Sequence, residues 1–210
     1  MQDIKLRKKG QYIKAETAQG TLTFSLGNAK LSKDILIFNL TAGTEGSCVV
    51  DCPGCYAKKA EKRYPTVKAA RAENFRIVKE HPEIISQAVP AIVAKYKKRI
   101  STIRIHESGD MFSKEYALAW DITAGQLRIE YGVKTYTYTK TGIRLHNVNV
   151  VESILPTGEF NFGRKAWVEE KAQELNAPIC PATKEKEKDI TCGKDCGLCI
   201  DHKTVLFIKH

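Results

Sequence analysis

Seven cysteines fall into two short groups, and none stands outside them. The first is Cys48, Cys52 and Cys55, in the run Ser47-Cys48-Val49-Val50-Asp51-Cys52-Pro53-Gly54-Cys55-Tyr56. The second is Cys180, Cys192, Cys196 and Cys199, whose last three members repeat the same spacing of three residues and then two. Seven cysteines crowded into two loops make poor core composition. An odd number also leaves one thiol unpaired in any disulfide framework. Metal ligation is the reading that accounts for every thiol, and the fold has to accommodate two such loops.

A Cys-x3-Cys-x2-Cys loop can wrap one face of a cubane iron–sulfur cluster and leave its fourth iron without a cysteine. An open iron binds a substrate, whereas a fully ligated one only passes electrons. The four-cysteine group can close a cubane completely, and it equally suits a structural zinc ion. At the first group zinc needs a further ligand, such as His106. The expectation is therefore two [4Fe-4S] clusters, one on Cys48, Cys52 and Cys55 and one on Cys180, Cys192, Cys196 and Cys199. Pro53-Gly54 lets the first loop turn tightly and aims backbone N–H groups at sulfur.

At 210 residues, 42% hydrophobic and 28% charged, the chain reads as a globular protein of one large or two small domains. No apolar run approaches the roughly 20 residues of a membrane span, so no membrane partner is expected. The first residues lack the layout of a signal peptide. A reducing cytoplasm is the expected location, that of the host cell if the chain is phage-encoded. The net charge is +10 and the pI about 9.2. Bases cluster at Lys58-Lys59, Lys62-Arg63, Lys95 to Arg99 and Lys184 to Lys188. Interleaved glutamates make solvated helix faces one reading, and a surface for nucleic acid or a host macromolecule is the other.

Strand and helix patterns alternate. Tyr12–Ala15 and Thr21–Leu26 flank Gly20 as an opening hairpin, and Ile35–Leu40 is a buried strand. Helices are predicted over Tyr56–Tyr64, Pro65–Glu80, Pro82–Arg99, Ser113–Glu130 and Arg164–Asn176, with prolines at first turns. Strands are predicted at Thr102–His106, Val133–Tyr138, between Val148 and Ile154, at Ala177–Cys180 and at Thr204–Ile208. The pattern implies an α/β fold with βαβ units and a parallel sheet. It divides into an N-terminal hairpin extension (1–33), a core with the first cysteine loop (34–176) and a four-cysteine segment (177–210). In parallel sheets the functional loops gather beyond the carboxyl ends of the strands. Those positions hold Cys48–Cys55, His106–Asp110, Thr139–Thr141 and Cys180-Pro181.

Three segments carry a resemblance: Cys52-Pro53-Gly54-Cys55-Tyr56-Ala57-Lys58-Lys59-Ala60, Arg104 to Ser113, and Tyr136-Thr137-Tyr138-Thr139-Lys140. With the late four-cysteine segment, they resemble a family of bacteriophage gene products without an established function, over residues 35 to 200. The first loop also resembles that of the radical S-adenosylmethionine superfamily, whose fold is a full or partial βα barrel. That resemblance implies a shortened barrel and a cluster whose open iron chelates S-adenosylmethionine. Reductive cleavage of the cofactor would give methionine and a 5′-deoxyadenosyl radical, with electrons from a flavodoxin- or ferredoxin-like donor.

Ser108-Gly109-Asp110 takes the place of the superfamily's Gly-Gly-Glu-like motif, where a carboxylate receives the methionine amine. It reads equally as a strand-to-helix turn capped by Asp110 or Ser113. An aromatic residue normally precedes the third cysteine; here Gly54 does, and Tyr56 follows, as a possible adenine contact from the other side. His106 and Lys140 are further candidate cofactor contacts, and Tyr136 and Tyr138 read as strand packing. No residue is assigned as catalytic, and no phosphate loop, dinucleotide fingerprint or nucleophile elbow occurs. The expected function is a two-cluster, radical S-adenosylmethionine-type enzyme. The alternatives are a non-catalytic two-cluster protein that carries electrons or binds nucleic acid or protein, or one cluster with a structural zinc.

Overall fold

The computed structural model describes residues 4–50, 52, 55–152, 172–174, 176–181, 190–201 and 205. Seven strands form one sheet in sequential order: β1 (Lys5–Lys9), β2 (Tyr12–Thr17), β3 (Gly20–Leu26), β4 (Ile35–Phe38), β5 (Thr102–Ile105), β6 (Lys134–Thr139) and β7 (Asn149–Glu152). β1 to β4 pair antiparallel and β4 to β7 parallel. The architecture is mixed α/β, and among the described residues the sheet does not close into a barrel.

The helices are α1 (Tyr56–Arg63), α2 (Pro65–Glu80), α3 (Ile85–Tyr96), α4 (Lys114–Tyr131) and the short α5 (Leu198–Asp201). Strand alternation sends Leu36, Phe38, Ile103 and Ile105 into one core with Ile77, Ile92, Val93 and Trp120 of α2, α3 and α4. Phe38 stands 4.8 Å from Phe24 and 5.8 Å from Trp120, ring centre to ring centre. Ile13, Leu22 and Phe24 belong to the same core, so residues 1–33 extend one sheet with the segment that follows. Buried Asn74 of α2 fixes that layer: its side chain bonds both the N–H and the carbonyl of Thr23 at 2.8 Å, and the Asn39 carbonyl at 3.0 Å.

Several elements depart from the sequence expectation. The opening hairpin is a three-stranded meander, because polar Lys5–Lys9 pairs as an edge strand whose lysines discourage further pairing. Pro82–Ile84 is a 3₁₀ turn, and α3 runs only from Ile85 to Tyr96. Residues 177–180 hold a bridge position at Ile179 rather than a strand. The helix expected over 164–176 and the strand over 204–208 lie largely outside the described residues, as do Pro53, Gly54 and 184–188. No described helix is long and apolar enough to cross a membrane.

Candidate metal centres

The first cysteine group sits beyond the carboxyl end of β4, on a loop locked to its neighbours. Asn39 accepts the N–H groups of Glu107 and Ser108 at 2.6 and 3.1 Å. Buried Ser47 donates to the Thr41 carbonyl at 2.9 Å and accepts the Asp110 N–H at 3.3 Å. Glu61 of α1 accepts from the Ala42 N–H (3.0 Å), the Ser108 hydroxyl (3.3 Å) and Arg71 (3.1 Å). Within this frame the Gly43 N–H donates to the Cys48 sulfur at 3.3 Å. Burial pushes the Cys48 thiol up, Gly43 opposes that, and Asp110, Cys52 and Cys55 add to it. Cys55 is the N-cap of α1, where the helix's partial positive charge favours an anionic group.

The residues of the loop after β5 do something other than line an open pocket. Gly109 has φ of 94°, and a Cβ there would stand 2.5 Å from the Ser47 hydroxyl and 2.7 Å from Leu40. The glycine thus lets this loop press onto the cysteine loop. Ser108 is buried and donates to the Leu40 carbonyl at 2.9 Å. Asp110 accepts from the Met111 N–H (2.8 Å), the Lys140 N–H (3.0 Å) and the Thr139 hydroxyl. Ser113 is the cap of α4, accepting the Tyr116 N–H at 3.2 Å. Tyr56 reaches from α1 to donate to the Glu107 carbonyl. His106 turns into the core, 2.8 Å from the Tyr116 hydroxyl, and burial with the Arg104 charge lowers its pKa to about 3. Lys140 is half-buried, with its backbone on Asp110.

The second group lies across the sheet face opposite α2–α4. One cross-strand row there is Ile37, Arg104, Tyr136 and Asn149. Cys192 packs beside Ile35 and Ile37, and its N–H and carbonyl bond Lys30 O and Ser32 N at 2.9 and 2.8 Å. Asn149 donates to the Cys199 carbonyl at 3.0 Å, and the Tyr138 phenol donates to the Cys199 sulfur. All four cysteines, from two separate segments, surround one cavity with Arg104, Tyr136 and Tyr138. Burial, with the other three cysteines, pushes the Cys199 thiol up to about 11. The Arg104 guanidinium lies 5.0 Å over the Tyr138 ring, and its buried Nε has no partner among the described residues.

All seven cysteines are free thiols, and both donor sets suit thiophilic iron or zinc. Among the described residues, no three His, Cys, Asp or Glu side chains stand close enough together to hold an ion as they are. Holding a single ion at either centre would therefore require the loops to draw their sulfurs inward.

A family model described as Gene product 88 matches residues 5–206. The chain belongs to that family. The Gene product 88 match spans both cysteine groups and the sheet between them, and it bears out the bacteriophage family read from the three motifs. No curated protein and no solved structure matches the chain. The sequence alone does not mark Arg104, Glu61, Asn39 and Ser47 as site residues, and it presents Tyr136 and Tyr138 as strand packing. The signal for Arg104 and the tyrosines is their place on the strand positions that alternate with Ile103, Ile105, Thr135 and Thr137.

Proposed function

We propose that the chain is a two-centre iron–sulfur protein acting as a radical S-adenosylmethionine-type enzyme, with a [4Fe-4S] cluster on Cys48, Cys52 and Cys55. One observation carries the reading: the other four cysteines surround their own cavity, which leaves the first group with three thiols. In this reading, parallel β4–β7 with helices on one face form an arc of a shortened βα barrel. Cys48, Cys52 and Cys55 would hold the cluster, which would supply, when bound and reduced, the electron for cleaving S-adenosylmethionine to methionine and a 5′-deoxyadenosyl radical. The chain's own residues hold and tune it. The Gly43 N–H on the Cys48 sulfur stabilises added negative charge, and the Asn39, Ser47 and Glu61 bonds fix the loop. A flavodoxin- or ferredoxin-like donor would reduce it in the host cytoplasm.

The four-cysteine centre is read as a second, closed [4Fe-4S] cluster. A structural zinc ion is the competing reading there, because four thiolates also close a tetrahedral site. Anaerobic reconstitution separates them: two cubanes give about eight irons per chain, one cubane and one zinc about four. Electron paramagnetic resonance of the reduced protein tests the enzyme reading. S-adenosylmethionine should change the spectrum, and Cys52→Ala should abolish the change. No change, with no 5′-deoxyadenosine formed under reductant, would leave an electron carrier or binding module.

A further inference from the structure

At the end of the sheet opposite the Cys48–Cys55 loop, a cleft of about 870 Å³ opens beside the amino ends of β4 and β5. Four separate segments bring cations to it. Lys8 comes from β1, Lys33 precedes β4, Lys97, Lys98 and Arg99 link α3 to β5, and Lys194 lies within the four-cysteine turn. All six are exposed. The cleft holds one carboxylate, Asp34, which already accepts from the Ser101 hydroxyl. Among the described residues none of the six cations forms an ion pair, and Lys8 bonds only the Gly10 carbonyl, at 2.7 Å.

Like charges gathered this way repel one another and raise the local potential, which draws a polyanion. The cleft offers a protein partner little. Its aliphatic lining residues, Leu26 and Ile100, are already buried in the fold, so no pocket awaits the apolar anchors on which protein interfaces depend. A phosphodiester strand needs no such anchor, because released counterions supply its affinity. The concave shape suits a single strand, whose backbone tracks a charged groove. We infer that this cleft binds single-stranded nucleic acid through its phosphates, with Lys33, Lys97, Lys98, Arg99 and Lys194 as the main contacts. The site is separate from the first cysteine loop, and the inference stands whichever metal the cysteines hold.

Fluorescence anisotropy with labelled dT and rU oligonucleotides, titrated against the full chain from about 50 mM salt upward, tests it. Five phosphate contacts predict a log–log salt slope of about −3.5, at about −0.7 per contact for single strands. The triple variant Lys33→Glu/Lys97→Glu/Arg99→Glu should bind at least tenfold more weakly and lose about two units of slope. Lys59→Glu, an exposed charge on α1, should bind as the parent does. The corresponding glutamine variants should fall between, which covers the case of a misfolded triple variant. The inference is overturned if neither oligonucleotide binds at low salt, if Lys59→Glu costs as much as the triple variant, or if an acidic peptide binds more tightly.

Discussion

The Asp110 carboxylate accepts the backbone N–H of Lys140 at 3.0 Å, so the loops after β5 and β6 are tied by one side chain. The same carboxylate takes the Thr139 hydroxyl and the Met111 N–H. Asp110→Ala should cost about 2–4 kcal/mol in urea denaturation, because three donors lose their shared buried acceptor. Asp110→Asn keeps one acceptor oxygen and should cost less. A residue that instead served only to hold a cationic cofactor would show the reverse: unchanged stability and weakened S-adenosylmethionine binding.

Gly109→Ala combines a backbone φ of 94° with a Cβ 2.5 Å from the Ser47 hydroxyl. The expected loss is about 2–3 kcal/mol, from strain and from pushing the cysteine loop outward. Iron incorporation at the first centre should fall with it. A variant that melts and loads iron like the parent would remove the close-approach argument.

His106 sets an acid limit. Its folded pKa is about 3 and its ordinary value 6.5, so the unfolded chain binds the proton first as pH drops. Its contribution is fully present above pH 6.5 and is lost progressively down to about pH 3, amounting to several kcal/mol in all. His106→Gln should flatten the fall of Tm between pH 7 and 4. An equally steep fall in the variant would assign acid lability to other groups.

Metal at the second centre should order what it touches. The Cys192 backbone is bonded to Lys30 and Ser32, and Lys134 pairs with Asp201 at 2.8 Å. Removing metal with a chelator should speed amide exchange at residues 30–32 and 192–199, while α2–α4 stay protected. Cys196→Ser should reproduce this without chelator. Uniform loss of protection would mean that the centre supports the whole fold.

Arg104 offers a selective probe, since it lines the four-cysteine cavity and does not ligate. Arg104→Met removes a cation beside Cys192 and Tyr138 at similar volume. Metal affinity at this centre should drop about tenfold as the thiolates lose charge compensation. Loading of Cys48, Cys52 and Cys55 should not change.

Much of this arrangement was legible in the residues. The apolar run at 35–40, the 3.6-residue periodicity of 65–80 and Ser113 before α4 predict a strand, a helix and a cap that the chain forms. The cysteine spacing groups the thiols by position, and Cys180, Cys192, Cys196 and Cys199 line one cavity. What local pattern could not supply was the partner of each polar residue. Lys5–Lys9 is a strand only because β2 lies beside it. His106 and Ser108 follow a strand, as rim residues do, yet a positive φ at His106 turns its ring inward and the Leu40 carbonyl claims the serine. Such choices depend on contacts across dozens of residues, which no window of sequence contains.

The bonds between Cys192 and residues 30–32 also fix a schedule. The thiols of the first group span eight positions and leave the ribosome together. Those of the second must wait until residue 199 is synthesised, then fold back onto residues 30–32, made long before. The nascent protein thus presents its three-thiol loop first, unaccompanied. On the proposed reading, metal delivery would meet the two groups in that order.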